Sequence, residues 1–123
     1  KQEGSVFGKR FGNGGGVTNA VIECLKEKGE STDVKVARCS GAAEVKKALL
    51  LLKVGRLPED FIEGMMCQGG CVGGPSNLKQ EMAFKKDRDA VIAKADGRGV
   101  WENLKNYDMD SFSMHRSYEK PEA

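Results

Sequence analysis

Histidine is almost absent from this chain: His115 is the only one in 123 residues, and it lies in a weakly patterned tail. A zinc site that pairs cysteines with histidines is therefore short of ligands. An excess of one charge is lacking too. There are 20 basic and 18 acidic side chains, interspersed, for a net charge of +2, which speaks against an electrostatic nucleic-acid binder. No apolar run approaches the roughly 20 residues that cross a bilayer, so no membrane partner is expected. A secretory signal pattern is missing at the start, and neither repeats nor low-complexity tracts occur. The chain opens on Lys1 and not on Met, and is expected to be a piece of a longer one.

What is present begins with four cysteines, Cys24, Cys39, Cys67 and Cys71. A secreted disulfide framework would be denser and richer in loops. Two of these four lie inside regular apolar patterns, so a reducing, cytoplasmic setting is expected. That turns Cys67 and Cys71 towards metal or redox chemistry. The length suits a single domain, residues 1–123, and 39% apolar content is enough for a small core.

Along the chain, Ser5-Val6-Phe7 reads as a short strand, followed by the turn Gly12-Asn13-Gly14-Gly15-Gly16. Val17, Ala20, Val21, Cys24 and Leu25 recur at helical spacing, and Gly29 closes that helix. Val34 to Cys39 is a second strand. Ser40 is its exit and a fair helix N-cap, with Glu44 suiting the first turn. The next helix runs from Gly41 or Ala42 to Val54. Val45, Ala48, Leu49 and Leu52 form its inner face, and Leu50 and Leu51 widen that face, so cover on two sides is expected. Phe61 to Met65 is a third strand. The order β-α-β-α-β predicts an α/β fold with a small, mostly parallel sheet and right-handed crossovers. Beyond Pro75 a helical extension is expected over 76–123. Ser76 or Asn77 would cap a helix with Leu78, Met82 and Phe84. Asp87–Ala95 would continue it or start a second helix, and Gly97-Arg98-Gly99 would break it. A last helix would hold Val100, Trp101, Leu104 and Tyr107. Phe112, Met114 and Tyr118 would tuck against the core, with a loose end from Lys120.

Ligands of open parallel sheets bind beyond the carboxyl ends of the strands. The glycine turn at 12–16, Cys39 and Cys67 all fall at such ends. At the glycine turn a phosphate is conceivable, because backbone N–H groups near a helix start attract anions. The Walker pattern fails, however: Val17 and Thr18 follow the glycines where Lys and Ser or Thr belong, and no GxGxxG register fits. A plain tight turn is the simpler reading.

The densest chemistry is Glu63-Gly64-Met65-Met66-Cys67-Gln68-Gly69-Gly70-Cys71-Val72-Gly73-Gly74-Pro75. Zinc lacks further ligands here, and a redox dithiol favours two intervening residues. An iron–sulfur cluster suits thiolates, and hydrogen bonds to its sulfurs tune its potential. Gly69, Gly70, Gly73 and Gly74 let backbone approach without side chains in the way, and a helix starting near Ser76 would aim its positive end at the same place. The competing reading is two free cysteines in a glycine-rich turn. Cys24 reads as a core residue by its helical register. Cys39 does so too, though its strand-end position leaves a cluster-facing role open. Trp101 and Tyr107 read as packing, and Lys46-Lys47 and Lys85-Lys86 as solvated faces.

These residues resemble the last signature of the iron-only hydrogenase family, Glu-x-Met-Ala-Cys-x-Gly-Gly-Cys-x-x-Gly-Gly, at Glu63 to Gly74. Upstream, Val6-Phe7-Gly8, Gly15-Gly16-Val17 with Ala20, and Val34-Lys35-Val36-Ala37 through Gly41 are similar to the family in order, so the likeness covers about residues 5–75. It implies the C-terminal lobe of a catalytic domain for reversible H2 oxidation at an iron–sulfur H-cluster, a four-iron subcluster joined to a two-iron subsite. Cys67 would ligate the four-iron part, Cys71 would bridge to the two-iron subsite, and Met65 would pack beside it. Gly69 and Gly70 would lie against the cofactor. Met66 stands where the family usually has Ala, and Pro75 follows Gly74 directly. The family's earlier signatures, Thr-Ser-Cys-Cys-Pro and Met-Pro-Cys, do not occur here. The cluster is therefore expected to be incomplete on this chain, which alone would be inactive. Its expected partners are the N-terminal part of the same catalytic domain and a ferredoxin-like electron carrier. A non-catalytic relative serving iron–sulfur assembly or sensing is the alternative, and an anion-binding α/β module a third reading.

Overall fold

The computed structural model describes residues 4–78 and 81–113, with the side chains of 81–84 left aside. The elements are α1 (Val6–Lys9), α2 (Gly16–Glu27), β1 (Val36–Ser40), α3 (Ala42–Lys53), β2 (Phe61–Met65), α4 (Glu81–Ala93) and α5 (Val100–Leu104), with 3-10 turns at Cys71–Gly73 and Met109–Ser111. β1 and β2 pair in parallel, Val36 opposite Phe61 and Ser40 opposite Met65. With α3 as the crossover, this is one β-α-β unit, and the chain is a small α/β fold.

Local chemistry explains the boundaries. β1 ends where Gly41, at φ 95°, starts α3, and its N–H donates to Met65 O at 2.7 Å across the strand ends. The expected N-cap thus shifts by one residue. Ser40 does not cap: its hydroxyl accepts the Gly69 N–H at 2.9 Å, while Glu44 accepts the Ser40 N–H at 2.7 Å. Helix α2 ends as expected, with Gly29 in the left-handed region and paired bonds from Gly29 N–H to Lys26 O and from Glu30 N–H to Leu25 O. α3 ends in the same way at Gly55, whose N–H reaches Leu52 O while that of Arg56 reaches Leu51 O. This double closure satisfies carbonyls that a helix end otherwise leaves open.

The first expected strand is a helix. Lys9 N–H donates to Ser5 O at 3.0 Å, and Ser5 is the N-cap residue of α1. A run of three apolar residues carries no periodicity that separates strand from helix. The Val6 N–H is taken by Asp96 O at 2.9 Å, in the segment before α5, and not by a neighbouring strand. Among the described residues the sheet therefore has two strands.

The C-terminal part also departs from expectation. The helix starts at Glu81 and not at Ser76. The Asn77 side-chain amide donates to Val72 O and its N–H to Gly74 O, which closes a turn instead of opening a helix. Leu78 is 99% exposed. α4 does continue through the Asp87 region, and the chain leaves helical geometry before Gly97 as expected. α5 stops at Leu104, so Tyr107 lies outside it, and Phe112 is exposed rather than tucked in. Met114, His115, Tyr118 and the end from Lys120 fall outside the described residues, as do the side chains of Met82 and Phe84.

The buried apolar residues are Ala20, Cys39, Ala48 and Ile92. α3 lies on the sheet through Val45, whose methyls would meet a Cβ on Gly64 at 3.3 Å. Its other side is bare: Leu49, Leu50, Leu52 and Val54 are exposed by 52%, 53%, 55% and 63%. The expected second cover is not supplied by the described residues, and Leu49 and Leu52 do not face inward.

Candidate metal centre

β2 delivers the chain to Cys67, and a tight glycine-rich loop comes next. Gly70 N–H donates to Cys67 O at 3.1 Å, Gly73 N–H to Gly70 O at 3.0 Å, and Gly74 N–H to Cys71 O at 3.0 Å. Cys67 is half-buried, Cys71 is exposed, and both are free thiols. At Gly70 only glycine fits. Its φ is 100°, and a Cβ there would lie 2.4 Å from Gly12 O and 2.8 Å from Gly14 N. A Cβ on Gly74 would meet Cys67 Sγ at 3.4 Å, so the absence of a side chain keeps space open beside that sulfur.

The loop rests on the glycine turn. Gly14 N–H donates to Gly69 O at 3.0 Å and Val72 N–H to Gly12 O at 3.4 Å. Ser40, at the end of β1, holds Gly69 from a second direction. The glycine turn, the end of β1 and the loop after β2 meet here, although the turn follows a helix and not the expected strand. Between them a recess of about 260 Å³ is lined by Gly14, Arg38, Cys39, Met65 and Gly69. Met65 and Gly69 line it together, and Cys39, though buried, borders the same recess, which neither Cys67 nor Cys71 lines. On the far side a wider cleft of about 740 Å³ runs between the loop and α4, with Arg10, Gln68, Val72 and Lys85 on its walls.

Sequence patterns alone did not single out Glu63 as a working residue of this site. It is 5% exposed. One carboxylate oxygen accepts the Gly15 N–H at 3.0 Å, and the other accepts the Thr18 N–H at 3.4 Å and the Thr18 hydroxyl. The N-terminus of α2 is a favourable place for an anion, and the chain's own carboxylate fills it. This agrees with the plain tight turn preferred over a phosphate site at the glycine turn. A signal existed: Glu63 shares a strand face with Phe61 and Met65, and a charge at an inward position needs partners.

Cys24 sits apart from the loop. Burial, with help from Glu27, raises its thiol pKa above the ordinary value. It borders an apolar groove with Phe11, Val17 and Trp101, in keeping with a packing role.

Among the described residues no group of three or more His, Cys, Asp or Glu comes close enough to hold a metal ion. The loop therefore offers two soft cysteine sulfurs and open backbone, with no further ligand beside them among the described residues. That donor set fits one side of an iron–sulfur cluster and not the whole of one. The helix dipole expected from Ser76 is not part of it, because α4 begins only at Glu81.

A cysteine pair on a glycine loop beyond the ends of a small parallel sheet marks this α/β fold. The family described as the iron-only hydrogenase large subunit, C-terminal domain, matches residues 1–75. The chain belongs to that family. Over 43 residues it is 51% identical to the periplasmic iron hydrogenase large subunit of Nitratidesulfovibrio vulgaris, a stretch that covers 35% of this chain and 10% of that protein. The chain thus spans only a small part of this curated relative's length. No solved structure matches it. Among the described residues no helix is long and apolar enough to cross a membrane.

Proposed function

We propose that this chain is the C-terminal lobe of an iron-only hydrogenase catalytic domain, which interconverts H2 with protons and electrons. The carrying observation is the convergence of β2, the glycine turn and the Cys67/Cys71 loop in a chain whose residues 1–75 match that family. Cys67 and Cys71 would hold the H-cluster on this side, with Met65 beside its two-iron end and the backbone of Gly69 and Gly70 against it. When bound, such a cluster supplies electron storage and the metal site of hydrogen conversion. The residues of this chain bind and orient it. The glycines keep side chains away, and Met65 lends an apolar, polarisable surface.

The remaining thiolates would come from the N-terminal part of the same catalytic domain. The bare leucine face of α3 supports a further partner surface, since contiguous exposed apolar area marks interaction sites. Residues 76–123 form the extension of this lobe, and this chain alone is expected to be inactive. A ferredoxin-like carrier would exchange electrons with the whole protein. The four free thiols support a reducing, cytoplasmic setting, whereas the relative's name places that protein in the periplasm.

Anaerobic reconstitution with iron and sulfide tests the reading. The 123-residue chain should take up no stable cluster, whereas the whole protein should carry one and evolve H2 from a reduced dye. A stoichiometric four-iron absorbance on the isolated monomer would overturn the shared-site reading. A whole protein that loads its cluster without turnover would instead be a non-catalytic relative in iron–sulfur assembly or sensing.

A further inference from the structure

We propose that Glu63 is a positioning residue for the cysteine loop, acting through the glycine turn rather than by contact with the cluster. The consequence for the cluster rests on the function proposed above; the mechanical role does not. Glu63 lies on β2, four residues before Cys67. Its carboxylate crosses to Gly15 and Thr18, which are 48 and 45 residues away in sequence. The backbone immediately before Gly15 is the seat of the loop, because Gly14 holds Gly69, Gly12 holds Val72, and Gly70 has no room to move inward. The loop therefore spans the end of β2 and the glycine turn, with Ser40 of β1 holding Gly69 as well, and Glu63 ties β2 to the turn. Without it the turn is free to slide against the strand and to carry the seat with it.

The chemistry calls for a carboxylate and not merely for bulk. Three donors converge on Glu63: two backbone N–H groups and one hydroxyl. A carboxylate accepts all three and brings no donor of its own, whereas a carboxamide would turn an NH2 towards them. Its negative charge also faces the positive end of α2. A volume-filling apolar side chain would leave buried N–H groups without partners.

The test uses the whole protein that carries this chain, metal-free and cluster-loaded. Thr18→Val removes one hydroxyl at nearly constant volume, Thr18→Ser retains it, and Glu63→Gln keeps the size but replaces one of the two acceptor oxygens by an NH2 donor. In hydrogen exchange followed by mass spectrometry, Thr18→Val and Glu63→Gln should speed exchange of segment 67–74 by roughly tenfold, the worth of one hydrogen bond to a charged group. Segment 49–56 at the end of α3 should not change. The g-values of the loaded cluster should shift in the same two variants, and Thr18→Ser should restore both readouts. Unchanged exchange of 67–74 in both variants overturns the proposal. An equal rise in 49–56 also overturns it, since that is global loosening, and so does an unmoved cluster signature. If the unmodified protein never takes up a cluster, the proposed function falls, yet selective loosening of 67–74 in the metal-free protein still supports the strut.

Discussion

Helices α2 and α3 have the same length, 12 residues, and close with the same pair of bonds around a left-handed glycine. They differ at their starts and on their sides. α2 begins on a buried carboxylate from a distant strand, and α1 and α5 pack against it. α3 begins on a carboxylate of its own first turn, Glu44, and shows a row of leucines to solvent. The helix beside the cysteine loop is thus covered by described residues of this chain, and among those residues the outer side of α3 is not. Identical local sequence logic gives two different degrees of completion, because completion depends on what the rest of the chain brings to the outer face.

Breaking the two helix starts should separate them most. Glu63→Ala leaves the N–H groups of Gly15 and Thr18 without a partner and should cost about 2–3 kcal/mol. Glu44→Ala removes an exposed contact and should cost ~0.5–1 kcal/mol. Urea unfolding of both variants checks this, and equal losses would contradict the distinction.

The bare side of α3 gives a smaller effect. Leu50→Lys should change stability by no more than about 0.5 kcal/mol, as for other exposed substitutions. It should lower any self-association of the chain seen in sedimentation, and should weaken capture of the remainder of the catalytic domain. A large loss of stability would mean that the face is covered after all.

The cysteines sharpen the contrast most finely. In metal-free protein near pH 8, iodoacetamide should modify exposed Cys71 fastest, then Cys67, and Cys24 and Cys39 last. Cys24, half-buried like Cys67, is held back further by a raised pKa that leaves less thiolate at that pH. Peptide mass mapping over time gives the order, and Cys24 reacting before Cys71 would refute it.

Much of this was legible in sequence. β2, α2, α3 and the two closing glycines follow from patterns within a dozen residues, and β1 starts two residues and ends one residue later than expected. The cysteine loop announced itself by composition. Three features were not legible in the same way. Ser5–Phe7 was too short to show a period. Asn77 offered itself as a helix cap but spends its side chain on Val72. Glu63 finds its partners more than 40 residues away, and no local pattern names them. The four consecutive leucines of α3 were readable as a wide apolar face, but what covers such a face is a property of the assembled protein.

The far end of α2 has a use of its own. Trp101, the single tryptophan of the chain, donates its backbone N–H to Glu27 at 2.8 Å and lies with its ring 4.8 Å from the Lys28 ammonium. It belongs to the segment beyond residue 75, where the family match ends. The tryptophan fluorescence of this chain therefore comes from one indole at the seam between the family-matched body and the C-terminal segment. Its emission is a built-in optical gauge of whether that segment is docked, readable without a label and independent of any metal.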